Sequence, residues 1–320
     1  MIKWGIIGAG HIAQRFARSL AHSNQGKLYA VASHTVTKLD LFTEEYPGIS
    51  TYTDYMQILE DKNVDVVYIA LRHKDHYKWA KEALLNKKAV LCEKPATLSV
   101  EEMIDLKELS IENQSFFMEG IKTRFIPVIQ ELKRLLDEEV IGKILTIENR
   151  FCYDIRSTNE TRYLYDPEQG GILNDVGSYV LGSIIDYIHV PLKEINVEAH
   201  YEHGVDVHDY VRLYFGDYQS ASFEIAMNEK KEPIMLINGN HGTIKCCPFY
   251  RPESIEIKVN REDAYTITKP YIYDDFYTEI EEVHKCLKGL IESPRMTLDD
   301  SIKCASITNA IRKEMDSNEV

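Results

Sequence analysis

The chain has 320 residues, 44% of them hydrophobic and 28% charged, the composition of a globular protein with room for a large core and two domains. Its formal net charge of −14 argues against wholesale binding to a nucleic-acid backbone. Six scattered cysteines without a Cys-x-x-Cys pair argue against a zinc ribbon or a disulfide framework, and no apolar run approaches the ~18 residues of a membrane span.

Residues 2–7 form a β-type apolar run that ends at Gly8-Ala9-Gly10. Ile12, Phe16 and Leu20 then recur at helical spacing, and 28–33 reads as a second strand. A helix over 38–45 stops at Tyr46-Pro47-Gly48. The strongest apolar run, 64–71, precedes a helix around 76–86, a strand at 89–92, a helix opened by Ser99 with Glu102 in capping-box spacing, and a strand at 115–118. Repeated strand–helix units of this length predict a parallel, doubly wound sheet over residues 1–121.

Gly8-Ala9-Gly10-His11-Ile12-Ala13 matches G-x-G-x-x-G/A in the context that gives the pattern meaning, after a first strand and at the start of a helix. Gly8 permits the turn, Gly10 lets backbone approach a pyrophosphate, and Ala13 allows close helix–strand packing. The helix N-terminus at His11 and Ile12 then offers N–H groups to phosphate. The second strand ends in Ser33-His34-Thr35 with Lys38 close behind, and no carboxylate stands there to bind a ribose 2′-OH. Ser33, Thr35 and Lys38 suit a 2′-phosphate and His34 suits stacking, so NADP is preferred to NAD; the competing reading is a set of solvated loop residues.

Glu93-Lys94-Pro95 follows the strand at 89–92, where ligands of open α/β sheets bind. Desolvation there lowers an ammonium pKa and suits Lys94 to proton transfer with an alcohol or carbonyl. Taken alone, the tripeptide reads first as a surface Lys before a loop Pro.

After about residue 121 the pattern changes. A helix is expected over 125–139, and strands at 144–153, 195–200, 209–215, 220–227, 234–238, 243–246, 254–259 and 264–268. Short connections between them predict a large, mostly antiparallel open sheet. Helices over 275–288 and 299–315 close the chain. The His-rich stretch 200–208 lacks metal-ligand spacing and reads as polar residues along a strand and its turn; no metal is expected. Gly170-Gly171 leads into Asp175 and Tyr179, which share one face if this stretch is helical. Asp175 is then a partner for Lys94 or a substrate hydroxyl, and Tyr179 a donor to the reacting oxygen. The alternative is an Asp favoured by the helix dipole and a Tyr packed in the core.

The glycine loop, Val64 to Ala70, Glu93-Lys94-Pro95 and Gly170 through Tyr179 together resemble the Gfo/Idh/MocA family, named for glucose–fructose oxidoreductase and inositol dehydrogenase, over nearly the whole chain. Residues 118–125 and Tyr179 are similar to its dimeric dihydrodiol dehydrogenase branch. The resemblance implies a Rossmann domain (1–121) and an α/β domain (122–320) whose open sheet forms a homodimer or higher homo-oligomer, with the C-terminal helices packed back on the first domain. It implies Lys94 in proton transfer with Asp175 and Tyr179 as partners, and Leu71, Arg72, His73, His76 and Glu93 around the cofactor. That branch typically has Trp where this chain has Lys122, and the family's common Thr-Pro is Leu71-Arg72 here. Lys122 and Arg124 are accordingly candidate contacts for an anionic or sugar-like substrate, with a solvent-facing Lys122 as the alternative, and Arg72 for a phosphate or carboxylate.

The expected activity is hydride transfer between NAD(P) and a small polyol, sugar or related hydroxy/oxo compound in the cytoplasm. A non-catalytic NAD(P)-binding regulator on the same scaffold is the alternative. It would not need Lys94, Asp175 and Tyr179 together.

Overall fold

A computed structural model describes residues 1–156, 162–289 and 292–318. The chain divides into two compact units, Met1–Lys122 with Ile272–Ile302, and Thr123–Tyr271 with Lys303–Val320.

The first unit carries six strands: β1 (Ile2–Ile7), β2 (Gly26–Ala32), β3 (Ser50–Tyr52), β4 (Val66–Ile69), β5 (Ala89–Glu93) and β6 (Phe117–Gly120). They lie in the order β3-β2-β1-β4-β5-β6 and every pairing is parallel. Between them run α1 (His11–Leu20), α2 (Val36–Glu45), α3 (Tyr55–Glu60), α4 (His73–Leu85) and α5 (Val100–Glu112). Parallel strands covered on both faces read as continuous apolar runs. Val66, Val67, Tyr68 and Ile69 of β4 are all fully buried, and complete burial of such side chains stabilises by about 1.5–3 kcal/mol each. Before α5 the Ser99 hydroxyl accepts the Glu102 N–H at 3.2 Å as the capping box requires, while the Glu102 carboxylate accepts the N–H of Leu98, one residue ahead of the N-cap, at 3.1 Å. Two elements escape the sequence reading, β3 and α3. Three residues, Ser-Thr-Tyr, are too few to show a period, and α3 has one turn and a half behind its Asp54 cap.

The second unit opens in a 3₁₀ turn that ends at Phe125, followed by α6 (Pro127–Asp137). The helix expected from residue 125 thus starts two residues later, with Pro127 in the first turn, where its missing N–H costs nothing. Then come β7 (Ile144–Cys152), α7 (Ile172–Tyr187), β8 (Leu192–Glu202), β9 (Val205–Phe215), β10 (Gln219–Ala226), β11 (Ile234–Gly239), β12 (Gly242–Cys246), β13 (Ser254–Val259) and β14 (Tyr265–Thr268). The eight strands order as β14-β13-β12-β11-β7-β10-β9-β8. The sheet is antiparallel except where β7 and β10 pair in parallel. The long connection through α7 makes that pairing possible, and α7 packs on β7, β9 and β10. In β9, buried Val211, Leu213 and Phe215 alternate with exposed Tyr210, Arg212 and Tyr214, so the opposite face of the sheet is open within this unit.

Two helices complete the chain, α8 (Tyr277–Leu287) and α9 (Leu298–Asn318). The α8 helix belongs to the first unit and packs beside α1. There Trp4 donates to His284 Nε2 at 2.8 Å and Ser19 donates to Asp274 at 2.7 Å. The α9 helix begins in the first unit and ends in the second. Among the described residues no helix is long and apolar enough to cross a membrane, and all six cysteines are free thiols.

Candidate active site

In the first unit the strand order reverses between β1 and β4, the place where doubly wound sheets bind ligands. Gly8 turns there with φ +98, and a Cβ on it would lie 2.3 Å from the Ala70 carbonyl oxygen, so the ends of β1 and β4 touch only because residue 8 has no side chain. Gly10 is the N-cap of α1 and makes no side-chain cap, and the first turn holds no acidic residue. A Cβ on Gly10 would meet nothing within 4 Å. The glycine therefore does not relieve a contact within the chain; it leaves room beside the uncapped N–H groups of His11 and Ile12. This arrangement fits the pyrophosphate of a dinucleotide.

At the end of β2, Ser33 Oγ accepts the Thr35 N–H at 3.1 Å and is itself buried. His34 Nδ1 donates to the Thr53 carbonyl at 2.8 Å. Its ring lies 4.2 Å from that of Tyr55, which meets Trp79 edge-on at 4.9 Å. Exposed His34 is thus a braced aromatic shelf. Thr35 caps α2 through backbone alone, and Lys38 is exposed on that helix, whose first turn has no acid.

The Lys94–Pro95 peptide bond is cis, and half-buried Lys94 stands at the carboxyl end of β5. Its neighbours are fixed on both sides. Glu93 is buried and accepts the Tyr68 hydroxyl at 2.5 Å. His76 Nδ1 lies 2.8 Å from the Pro95 carbonyl and Nε2 lies 3.1 Å from the Leu71 carbonyl. Burial, then the Lys94 charge, pushes the His76 imidazole down despite those carbonyls, so it is neutral and donates to one of them. Glu119 receives the Ala96 N–H at 3.0 Å. His73 is buried beside His76 on α4, while Arg72 is the exposed N-cap of that helix and Leu71 precedes it half-buried. Tyr68 and Glu119 were not singled out by sequence as site residues, because their partners, Glu93 and the Ala96 N–H, lie over 20 residues away in the chain.

Lys122 is 3% exposed. Its ammonium lies 3.8 Å from Asp275 and 4.6 Å over the Phe276 ring. Arg15 holds the other Asp275 oxygen at 2.5 Å. Glu279, one turn further along, is fully buried with no hydrogen bond to either oxygen.

In the second unit α7 starts at Gly171 and carries Asp175 and Tyr179 one turn apart. Asp175 accepts the hydroxyl of Tyr153, a residue the sequence reading left as the end of a strand. Burial and the Asp175 charge push the Tyr153 phenol well up, so it stays protonated and donates. Phe151 lies between these groups, its ring 5.9 Å from Tyr153, 6.1 Å from Tyr179 and stacked at 4.5 Å on Tyr250. Arg124 is 3% exposed and sits 3.4 Å from Asp186, which Lys133 also holds at 2.6 Å. Lys122 and Arg124, offered by sequence as substrate contacts, are thus each committed to a carboxylate of their own unit.

The His-rich stretch forms the end of β8, a turn and β9. His208 does gather with Glu224 and Glu229 within 4.8 Å, but the Lys231 ammonium lies 2.6 Å from Glu224 and 3.0 Å from Glu229 and supplies the cation there.

Comparison with known proteins places this architecture. Residues 2–121 match the oxidoreductase family with an NAD-binding Rossmann fold, and residues 129–245 match the GFO/IDH/MocA C-terminal domain. The chain belongs to the Gfo/Idh/MocA oxidoreductase family. It is an NAD(P)-dependent oxidoreductase, as the resemblance implied. Among its relatives, trans-1,2-dihydrobenzene-1,2-diol dehydrogenase of Sus scrofa is 29% identical, over 98% of this chain and 96% of that protein. The scyllo-inositol 2-dehydrogenase (NADP+) of Bacillus subtilis is 27% identical, over 98% and 97%. A 3-ketoreductase from Actinomadura kijaniata, solved with NADP and TDP-benzene, superposes with a TM-score of 0.89 at 25% identity, over 98% and 97% of the two chains.

Proposed function

We propose that this member of the family transfers hydride between NADP and a small polyol, sugar or related hydroxy/oxo compound, with Lys94 carrying the proton. The observation that bears most weight is the placing of Lys94. It stands one strand over from the end of β4, and its neighbours Glu93 and Pro95 are each hydrogen-bonded into the same unit. When bound, the nicotinamide supplies the hydride acceptor or donor. In oxidation Lys94 takes the hydroxyl proton as the C–H bond breaks; in reduction it returns one to the new alkoxide oxygen. Asp175, held by Tyr153, and Tyr179 orient that oxygen and share its hydrogen bonds. Leu71, His73, His76 and Glu93 line the cofactor's side of the cradle, and Arg72, exposed at the α4 N-terminus, binds an anionic group of cofactor or substrate. Buried Lys122 and Arg124 hold the fold and do not touch substrate.

The preference for NADP rests on the end of β2. No carboxylate occupies positions 33 to 38, and Ser33, Thr35 and Lys38 with the His34 shelf suit a 2′-phosphate. Self-association rests on the open face of the second unit's sheet, where Glu148, Arg150, Arg212 and Glu224 alternate in sign around Tyr210, so a second copy supplies matching charge. Sedimentation velocity at micromolar concentration tests this, and a monomer refutes it.

The decisive assay is a panel of scyllo-inositol, myo-inositol, D-glucose, D-xylose and trans-dihydrobenzene diol with NADP and NAD, followed by nicotinamide absorbance. Lys94→Met is expected to bind NADPH normally and to lose ~10²–10⁴ in turnover. Near-normal turnover in that variant removes Lys94 from the mechanism. Tight cofactor binding with no turnover of any panel member favours a regulatory role.

A further inference from the structure

The first turn of α7 is held from outside the helix. Gly171, its N-cap, makes no side-chain cap. The task falls to Asp206 of β9, whose Oδ2 accepts the Leu173 N–H at 2.7 Å. The carboxylate lies flat against the glycine: a Cβ at residue 171, where φ is +91, would stand 2.0 Å from Asp206 Oδ1. Glycine at 171 is therefore matched to a carboxylate at 206.

Asp206 has a second carboxyl beside it. Residues three apart on a regular strand point to opposite faces. The β8–β9 pairing skips Val207, with Tyr201 opposite Asp206 and His200 opposite His208. Such a bulge re-aims side chains, and here it brings Asp206 to Asp209. Asp209 is fully buried with no hydrogen bond to either oxygen, and Asp206 is the charge beside it. Burial and the Asp206 charge push the Asp209 carboxyl well up, so it stays protonated and leaves the negative charge on Asp206. From α9, Arg312 faces Asp206 and also donates to the Asn174 side-chain oxygen. The Asn174 amide in turn donates to the Gly170 carbonyl at 2.7 Å and the Gln169 carbonyl at 3.2 Å. Each bond bears on the turn from which α7 starts.

We infer that Asp206 is the positioning residue of the second unit's part of the proposed site: its carboxylate, hydrogen-bonded to the Leu173 N–H, set against Gly171 and faced by Arg312, sets where α7 begins and so where Asp175 and Tyr179 stand. The inference rests on the roles proposed above for those two residues. A displacement of about 1 Å at a reacting group costs on the order of 10²-fold in rate, so an anchor two residues from Asp175 has leverage without touching substrate.

The test measures kcat, KM and NADPH affinity for Asp206→Ala, Asp206→Asn and Asp206→Glu, with the panel member of highest kcat/KM as substrate. Asp206→Ala is expected to lower kcat about 10–10²-fold with NADPH affinity unchanged within twofold. Asp206→Asn keeps an acceptor for the Leu173 N–H and is expected to recover most of that loss. Asp206→Glu keeps the charge but pushes it into Gly171, and is expected to lower kcat about tenfold even if the Ala variant does not fold. Wild-type kcat in folded Asp206→Ala, or in Asp206→Glu, overturns the inference. Asp175→Asn and Tyr179→Phe are measured beside them. If these lose turnover while the Asp206 variants do not, the positioning role alone fails. If they too are fully active, the proposed site fails with it.

Discussion

Glu279 offers the most direct physical test of the first unit. It lies in the first turn of α8, fully buried, with neither oxygen hydrogen-bonded. Burial, then the charges of Glu93 and Asp275, push its carboxyl well up, and Lys122 pulls it back only in part. Glu279 is therefore protonated in the folded protein at neutral pH, while in the unfolded chain it titrates near ~4.3. Between those two values the folded state holds one more proton than the unfolded state. Stability from this group is complete below about pH 4 and falls by about 1.4 kcal/mol for each pH unit above it, until the folded carboxyl itself ionises. Glu279→Gln cannot titrate and lacks this slope. The gain of the variant over the wild type should therefore grow with pH from pH 5 upward at that slope, ~2 °C in Tm per pH unit for a chain of this length. The amide adds a fixed cost of about 1–3 kcal/mol for its own unpartnered groups, so the slope, not the offset, carries the information. Differential scanning calorimetry of both proteins at half-unit steps of pH measures it. Parallel Tm curves would refute the reasoning. They would mean that Glu279 is ionised against Lys122, and its loss would then cost about 3–5 kcal/mol at every pH as a broken buried pair.

Four further substitutions separate binding, packing and chemistry. Gly10→Ala should keep the wild-type Tm within ~1 °C, because the added methyl meets no protein atom, yet weaken NADPH binding at least about tenfold by fluorescence titration. Gly8→Ala should instead lose 2 kcal/mol or more, roughly, in urea unfolding, from its positive φ and the Ala70 carbonyl in its way. Tyr153→Phe removes the donor to Asp175 and should lower kcat about tenfold at unchanged NADPH affinity, with wild-type kinetics counting against the hydrogen bond's role. Lys122→Met should leave substrate KM within about threefold, since the ammonium is engaged with Asp275 and Phe276; a large rise in KM would return Lys122 to the substrate.

The parts legible in the sequence are those written in consecutive residues. The glycine loop, the apolar run of β4 and the capping box before α5 each state their structure within a few positions, and the parallel sheet follows from their alternation. Lys94 was visible for the same reason, as a cation at the exit of an apolar strand. Residues whose meaning comes from a partner far along the chain were not visible. Tyr153 is one more aromatic at a strand end until α7 brings Asp175 to it, 22 residues later in sequence. Asp206 looks like a polar position of a half-exposed strand until the fold brings its carboxylate to the start of α7, 33 residues back in sequence. Lys122 misled in the opposite direction. Its place in the motif suggested substrate, but Asp275 and Phe276, some 150 residues away, take up its charge. The same contact explains why a buried cation is tolerated there. Arg15 and Lys122 share the Asp275 carboxylate, and a protonated Glu279 adds no third negative charge to those of Glu93 and Asp275. If Glu279 were ionised, the carboxylates of Glu93, Asp275 and Glu279 would face two cations inside one core, and desolvation would outweigh their attraction. The proton on Glu279 thus accounts for a buried Lys122 in this core, and its pH slope tests that reading without any substrate.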